Sequence, residues 1–242
     1  MPCPDLKQPL IGVLCFIFGE EDSMQKTVLL LIHGIWRLPF KKNWQDDVVR
    51  VHKEMGLQDK IIIERVNYPF VPAVASWLST FSPFIFNLLS RPFTRKIEKL
   101  FEFYAAHPKA AIAHSYGSWL IWQKMLSDHS VKFETMIFAG SPCPHTVFPL
   151  RLHLLMDAQV KRWHNFANFH DEVAGMYSPF PYGDLGQIGL QSEDWKRVRV
   201  EHPIEGRSFW NHYVDDAANQ KEHGEYFSAE NIRLMMEKVV AP

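Results

Sequence analysis

Three short apolar runs constrain this 242-residue chain more than any other feature. They are TVLLLIH (27–33), KIIIERVNYP (60–69) and KAAIAHS (109–115). Each is rich in β-branched or small residues and reads as a strand, and the first, continuously apolar, reads as a strand buried on both faces. Helical patterns fill the gaps between them. NWQDDVVRVHKEMG (43–56) sets Trp44, Val48, Val51 and Met55 at helical spacing, with Asn43 as its cap and Gly56 as its stop. TRKIEKLFEFYAAH (94–107) puts Ile97, Leu100, Phe101 and Tyr104 on one face before Pro108, and YGSWLIWQKMLSDH (116–129) is a third helix. Further strands are predicted at FETMIFAGSP (133–142), VKRWHNFANFHD (160–171) and WKRVRVEHP (195–203). A last amphipathic helix, SAENIRLMMEKVV (228–240), has Ser228 as its N-cap. Strands alternating with helices at crossover length predict an α/β fold: a mostly parallel sheet of about six strands with helices on both faces.

Composition narrows the class. Apolar residues make up 47% of the chain and charged residues 22%, as in a globular protein. The formal net charge is −1, so no basic field recruits nucleic acid. Cys3, Cys15 and Cys143 are scattered and odd in number, which gives neither a disulfide framework nor a paired metal site. That favours a reducing compartment, and a cytoplasmic location is the expectation. PLIGVLCFIFG (9–19) competes with it as a signal-peptide core, but the run lacks a basic flank and a good cleavage site. We read residues 1–23 as an N-terminal extension and 24–242 as one folded domain.

The chemistry centres on AIAHSYGSW (111–119). Ser115 falls where a strand meets a helix, flanked by Ala113 and Gly117. Such a turn holds a serine oxygen out at the carboxyl end of the sheet, and small neighbours let the backbones approach. From these residues alone, Ser115 is either a nucleophile or the N-cap of the helix that follows. LLLIHGI (29–35) adds a strand ending in a His-Gly turn. NFANFHDEVAG (165–175) adds an acid just past a strand end, and FWNHYVDD and KEHGEYFSAENI add two late histidines, His212 and His223.

In this order, the motifs resemble the α/β-hydrolase family, in particular its small esterase- and lipase-like members with an Ala-x-Ser-x-Gly elbow. The resemblance runs from about residue 27 to residue 240. It implies a minimal hydrolase fold, with Ser115 as nucleophile, Asp171 as acid and His223 as base. Glu172 is the runner-up acid and His212 the runner-up base. The backbone N–H groups of Ile35 and Tyr116 would form the oxyanion hole, with Trp36 as second choice for the first. His33 lies upstream of the serine and reads as a structural residue of its loop. Tyr226 and Phe227 would anchor the loop that carries His223. His164 and His170 share a strand face without a third ligand, so no metal site is expected. No cofactor is implied either.

The implied activity is hydrolysis of carboxylic esters, with lipid-like esters as a candidate class, through a Ser-His-Asp triad. A thioesterase or peptidase using the same triad is the related alternative, and a non-catalytic binding protein on the same fold is the unrelated one. The stretch NYPFVPAVASWLSTFSPFIFNLLS (67–90) has no Asp, Glu, Lys or Arg. Its prolines argue against a continuous membrane span. We read residues 67–93 as a helical lid or pocket wall, in which Trp77 and Phe81 join Trp36 against an acyl chain and could also touch a membrane surface. A buried connector is the competing reading.

Overall fold

The computed structural model describes residues 25–34, 43–68, 83–143, 159–168, 170–171, 185–188, 208–214 and 225–241. Six strands, β1 (Thr27–Ile32), β2 (Ile61–Val66), β3 (Lys109–His114), β4 (Phe133–Ala139), β5 (Val160–Ala167) and β6 (Ser208–Tyr213), form one sheet in the order β2-β1-β3-β4-β5-β6. Every pairing is parallel. The helices between them are α1 (Trp44–Glu54), α2 (Pro83–Phe103), α3 (Tyr116–Ser127), the one-turn α4 (Leu185–Ile188) and α5 (Ala229–Val240).

Alternation along the strands builds two cores. In β1, Val28, Leu30 and Ile32 face Phe93, Ile97 and Leu100 of α2 and Trp119, Leu120 and Trp122 of α3. Leu29 and Leu31 face the other way, toward Val48 and Val51 of α1 and Ile232, Met235 and Met236 of α5. Helices therefore cover both faces, as the strand patterns predict. Full burial of each such leucine contributes about 1.5–3 kcal/mol. The local signals also hold. The Asn43 side chain accepts from Gln45 N (3.2 Å), and Ser228 Oγ accepts from Asn231 N (3.1 Å). Gly56, at φ +65°, takes the left-handed turn that closes α1.

Two elements differ from the sequence reading. Helix α2 begins at Pro83, eleven residues before Thr94, and runs through Pro92. The tail of the predicted insertion is therefore part of a core helix: Ser90 and Phe93 are buried while Leu88 faces solvent. Packing of that face outweighs the hydrogen bond lost at Pro92. Residues 69–82, with Trp77 and Phe81, lie outside the described residues, as do residues 1–23 and the strand predicted at 195–203. The sixth strand of the sheet is SFWNHY, paired with β5. Among the described residues, no helix is long and apolar enough to cross a membrane.

Candidate active site

Strand β3 delivers Ser115 into the turn before α3. Ser115 has φ +52° and ψ −132°, and it is the one non-glycine residue with positive φ among those described. Such a conformation costs about 1–3 kcal/mol and persists only where the surroundings fix it. Here they do. Ser115 N donates to Ala139 O (3.0 Å), and Ser118 N donates to Ser115 O (2.9 Å). The Ser118 hydroxyl also donates to Ser115 O (2.6 Å) and shares a bond with Ser141 Oγ (2.7 Å). Ser115 occupies the N-cap position of α3, yet its side chain makes no capping bond. The cap reading of this serine therefore fails.

The small residues around the elbow are required. A Cβ on Gly117 would run into the His33 carbonyl oxygen and come within 2.9 Å of Ile32. A Cβ on Gly34 would stand 2.7 Å from Ser115 Cβ and 3.2 Å from its Oγ. The His-Gly turn after β1 thus lies directly against the serine. Tyr116 opens α3, and N–H groups in the first turn of a helix point out of its N-terminus. Ile35 and Trp36 lie outside the described residues. His33 stacks flat on Tyr68 (centroids 4.7 Å apart, 7° between planes), and its carbonyl accepts from the Tyr68 hydroxyl. That arrangement assigns His33 to the structure of the turn.

Asp171 follows β5 in a turn closed by Asp171 N to Asn168 O (3.0 Å) and His170 N to Asn168 Oδ1 (2.9 Å). Its side chain is buried, and Tyr226 donates its phenolic hydrogen to Asp171 Oδ2 at 2.6 Å. The same hydroxyl lies 3.1 Å from Gly186 O. Burial pushes the Tyr226 phenol well above its usual range, and the Asp171 charge adds to the shift. Helix α4 stitches this end of the sheet together. Gly186 N donates to Ser141 O, Leu185 N to Cys143 O, and Asn168 N to Gly186 O, at 2.7, 3.1 and 2.8 Å. Gly186 packs directly on Gly140 and Ser141 backbone, leaving no room for a side chain.

No family model matches this sequence, and no curated protein does. Its fold is similar to that of a protein from Bacillus cereus ATCC 10987 described as uncharacterized, with TM-score 0.56 and 11% identity. The match covers 99% of this chain and 64% of that one, so this chain spans under two thirds of that protein's length. A second structure, from Agrobacterium vitis S4 and described as "Putative hydrolase", matches with TM-score 0.50 and 8% identity over 88% of each chain. This chain shares with them an α/β fold built on a parallel sheet.

Within that fold the histidines divide. His223 and the runner-up acid Glu172 lie outside the described residues. His212 sits on β6 at the register of Phe166, which pairs with Ala139, which pairs with His114. Three strand spacings separate His212 from His114, about 14 Å. Its ring stacks on Phe166 (4.6 Å), and its Nε2 meets His164 Nδ1 at 3.1 Å. His212 is thus engaged in a buried pair away from the elbow. Burial first, then His212, Lys238 and Arg162, hold the His164 imidazole down to about 3. His170 is exposed, and no cluster of three His, Cys, Asp or Glu occurs among the described residues. Cys143 is buried, its thiol pushed up to about 12, which marks it as inert.

Sequence reasoning missed two contributors. Tyr226 was legible as a loop anchor, and it is buried beside His114 with Phe227 stacked on Trp44, but its bond to Asp171 had no sequence signal. Gly186 had none either, since its role depends on the close approach of the β4 and β5 strand ends.

Proposed function

We propose that this chain is a serine hydrolase that cleaves carboxylic esters through Ser115, His223 and Asp171. The observation that carries the reading is the backbone of Ser115, strained at φ +52°, uncapped, and pressed against the Gly34 turn. A capping serine needs no such conformation, whereas a nucleophile on a strand-to-helix elbow does. The hydrolase description of the Agrobacterium vitis protein with a similar fold adds support. So does the order of the parts: serine after β3, buried Asp171 after β5, and His223 between β6 and α5. His223 precedes Tyr226 by three residues, a reach of at most about 11 Å, and Tyr226 touches Asp171.

In this scheme His223 takes the Ser115 proton as Oγ attacks the ester carbon. Asp171 fixes the imidazole tautomer and stabilises the imidazolium. The N–H groups of Tyr116 and Ile35 hold the tetrahedral oxyanion. The imidazolium then protonates the leaving alkoxide, and His223 deprotonates the water that releases the acid from Ser115. The scheme needs no cofactor. Trp36, Trp77 and Phe81 would line the acyl site, so that alanine at residues 77 and 81 weakens turnover of long-chain esters more than of acetates.

The test is kcat/KM on parallel ester, thioester and peptide substrates for the native protein, His223→Ala and His212→Ala. Ester turnover should dominate, falling on the order of 10⁴-fold in His223→Ala and less than about tenfold in His212→Ala. A larger loss in His212→Ala would overturn the choice of base. No turnover of any of the three substrates would overturn the reading.

A further inference from the structure

Resting on the hydrolase reading, we propose that Tyr226 is a positioning residue for the acid: its phenol fixes the Asp171 carboxylate and ties it to the strand that delivers Ser115. Both side chains are almost fully enclosed, Asp171 being 2% and Tyr226 1% exposed. The 2.6 Å bond between them joins a neutral donor to a carboxylate, the stronger class of hydrogen bond. The phenol has little freedom to leave. Its hydroxyl also lies against Gly186 O, and Gly186 is wedged on Gly140 and Ser141. Its ring stands 6.3 Å from that of His114, the residue immediately before Ser115. The next residue, Phe227, stacks on Trp44 at 4.2 Å and packs edge-on to His114 at 5.3 Å. Acid and nucleophile, which come from strands β5 and β3, are thereby referenced to one aromatic anchor.

The bond has a chemical consequence that simple packing lacks. A carboxylate that accepts from a phenol has less charge to offer an imidazolium. Removing the phenolic hydrogen makes Asp171 both looser and a stronger acceptor. Turnover should fall through misorientation, while the base becomes harder to deprotonate and the acid limb of kcat/KM moves up in pH.

The experiment compares the native protein, Tyr226→Phe and Tyr226→3-fluorotyrosine, with active sites counted by a fluorophosphonate so that only folded molecules enter the rates. Tyr226→Phe should lower kcat about tenfold with KM within about twofold, and raise the acid limb by about half a pH unit. Tyr226→3-fluorotyrosine keeps the ring and donates more strongly, so its acid limb should move down. In an Asp171→Asn background, Tyr226→Phe should cost less than about twofold, because the two residues act as a unit. An unchanged acid limb in both Tyr226 variants, or an equal cost in both backgrounds, would overturn the proposal while leaving the hydrolase reading in place. A native protein that the probe does not label at Ser115 would overturn both.

Discussion

Gly34 lies against Ser115 so closely that a methyl group on residue 34 would stand 2.7 Å from the serine Cβ. The neighbour it would meet is the side chain of the proposed nucleophile. Gly34→Ala should therefore displace Ser115 and slow its acylation by about 100-fold, the scale of a misplacement near 1 Å. The rate of fluorophosphonate labelling checks this, and a native rate would mean that the turn does not set the serine's position.

Gly117→Ala should act differently. Its new methyl group would meet the His33 carbonyl and the Ile32 backbone and side chain, none of which can swing aside. The expected outcome is a stability loss of about 1–3 kcal/mol together with loss of turnover, read from a denaturation midpoint alongside an ester assay.

The buried pair His164 and His212 gives the fold a pH dependence independent of catalysis. The His164 imidazole is held down to about 3 in the folded state, chiefly by burial, with His212, Lys238 and Arg162 opposing its charge. The unfolded chain binds this proton near the usual histidine value, about 6.5. Stability from this residue is therefore complete above that value and is lost progressively as pH falls toward 3. The urea midpoint should fall between about pH 7.5 and about pH 5, and His164→Gln should flatten that slope. An equal slope in the variant would assign the acid sensitivity elsewhere.

The parts of the fold that were legible in the sequence are those whose burial is decided locally. TVLLLI and KAAIAH read as strands because each buries both faces with its own apolar side chains. Asn43 and Ser228 read as caps because a cap acts within three residues. β6 was not legible. SFWNHY carries Asn211 and His212, and these are buried only because Asn165 and His164, 46 and 48 residues earlier, pair with them across the sheet. The start of α2 differs from the predicted Thr94 because tertiary packing of Ser90 and Phe93 carries the helix through Pro92. In the candidate site, Ser115 and Asp171 could be singled out from their order along the chain. The bond from Tyr226 to Asp171, and the wedge that Gly186 drives between strand ends, exist only once those ends converge.

The most direct test of the account is the site of covalent labelling by a fluorophosphonate, located by mass spectrometry of the digested protein. One adduct per chain is expected on the peptide carrying Ser115, formed at neutral pH and abolished by both Ser115→Ala and prior unfolding. A native, folded protein that remains unlabelled, or one labelled equally well after Ser115→Ala, would contradict it.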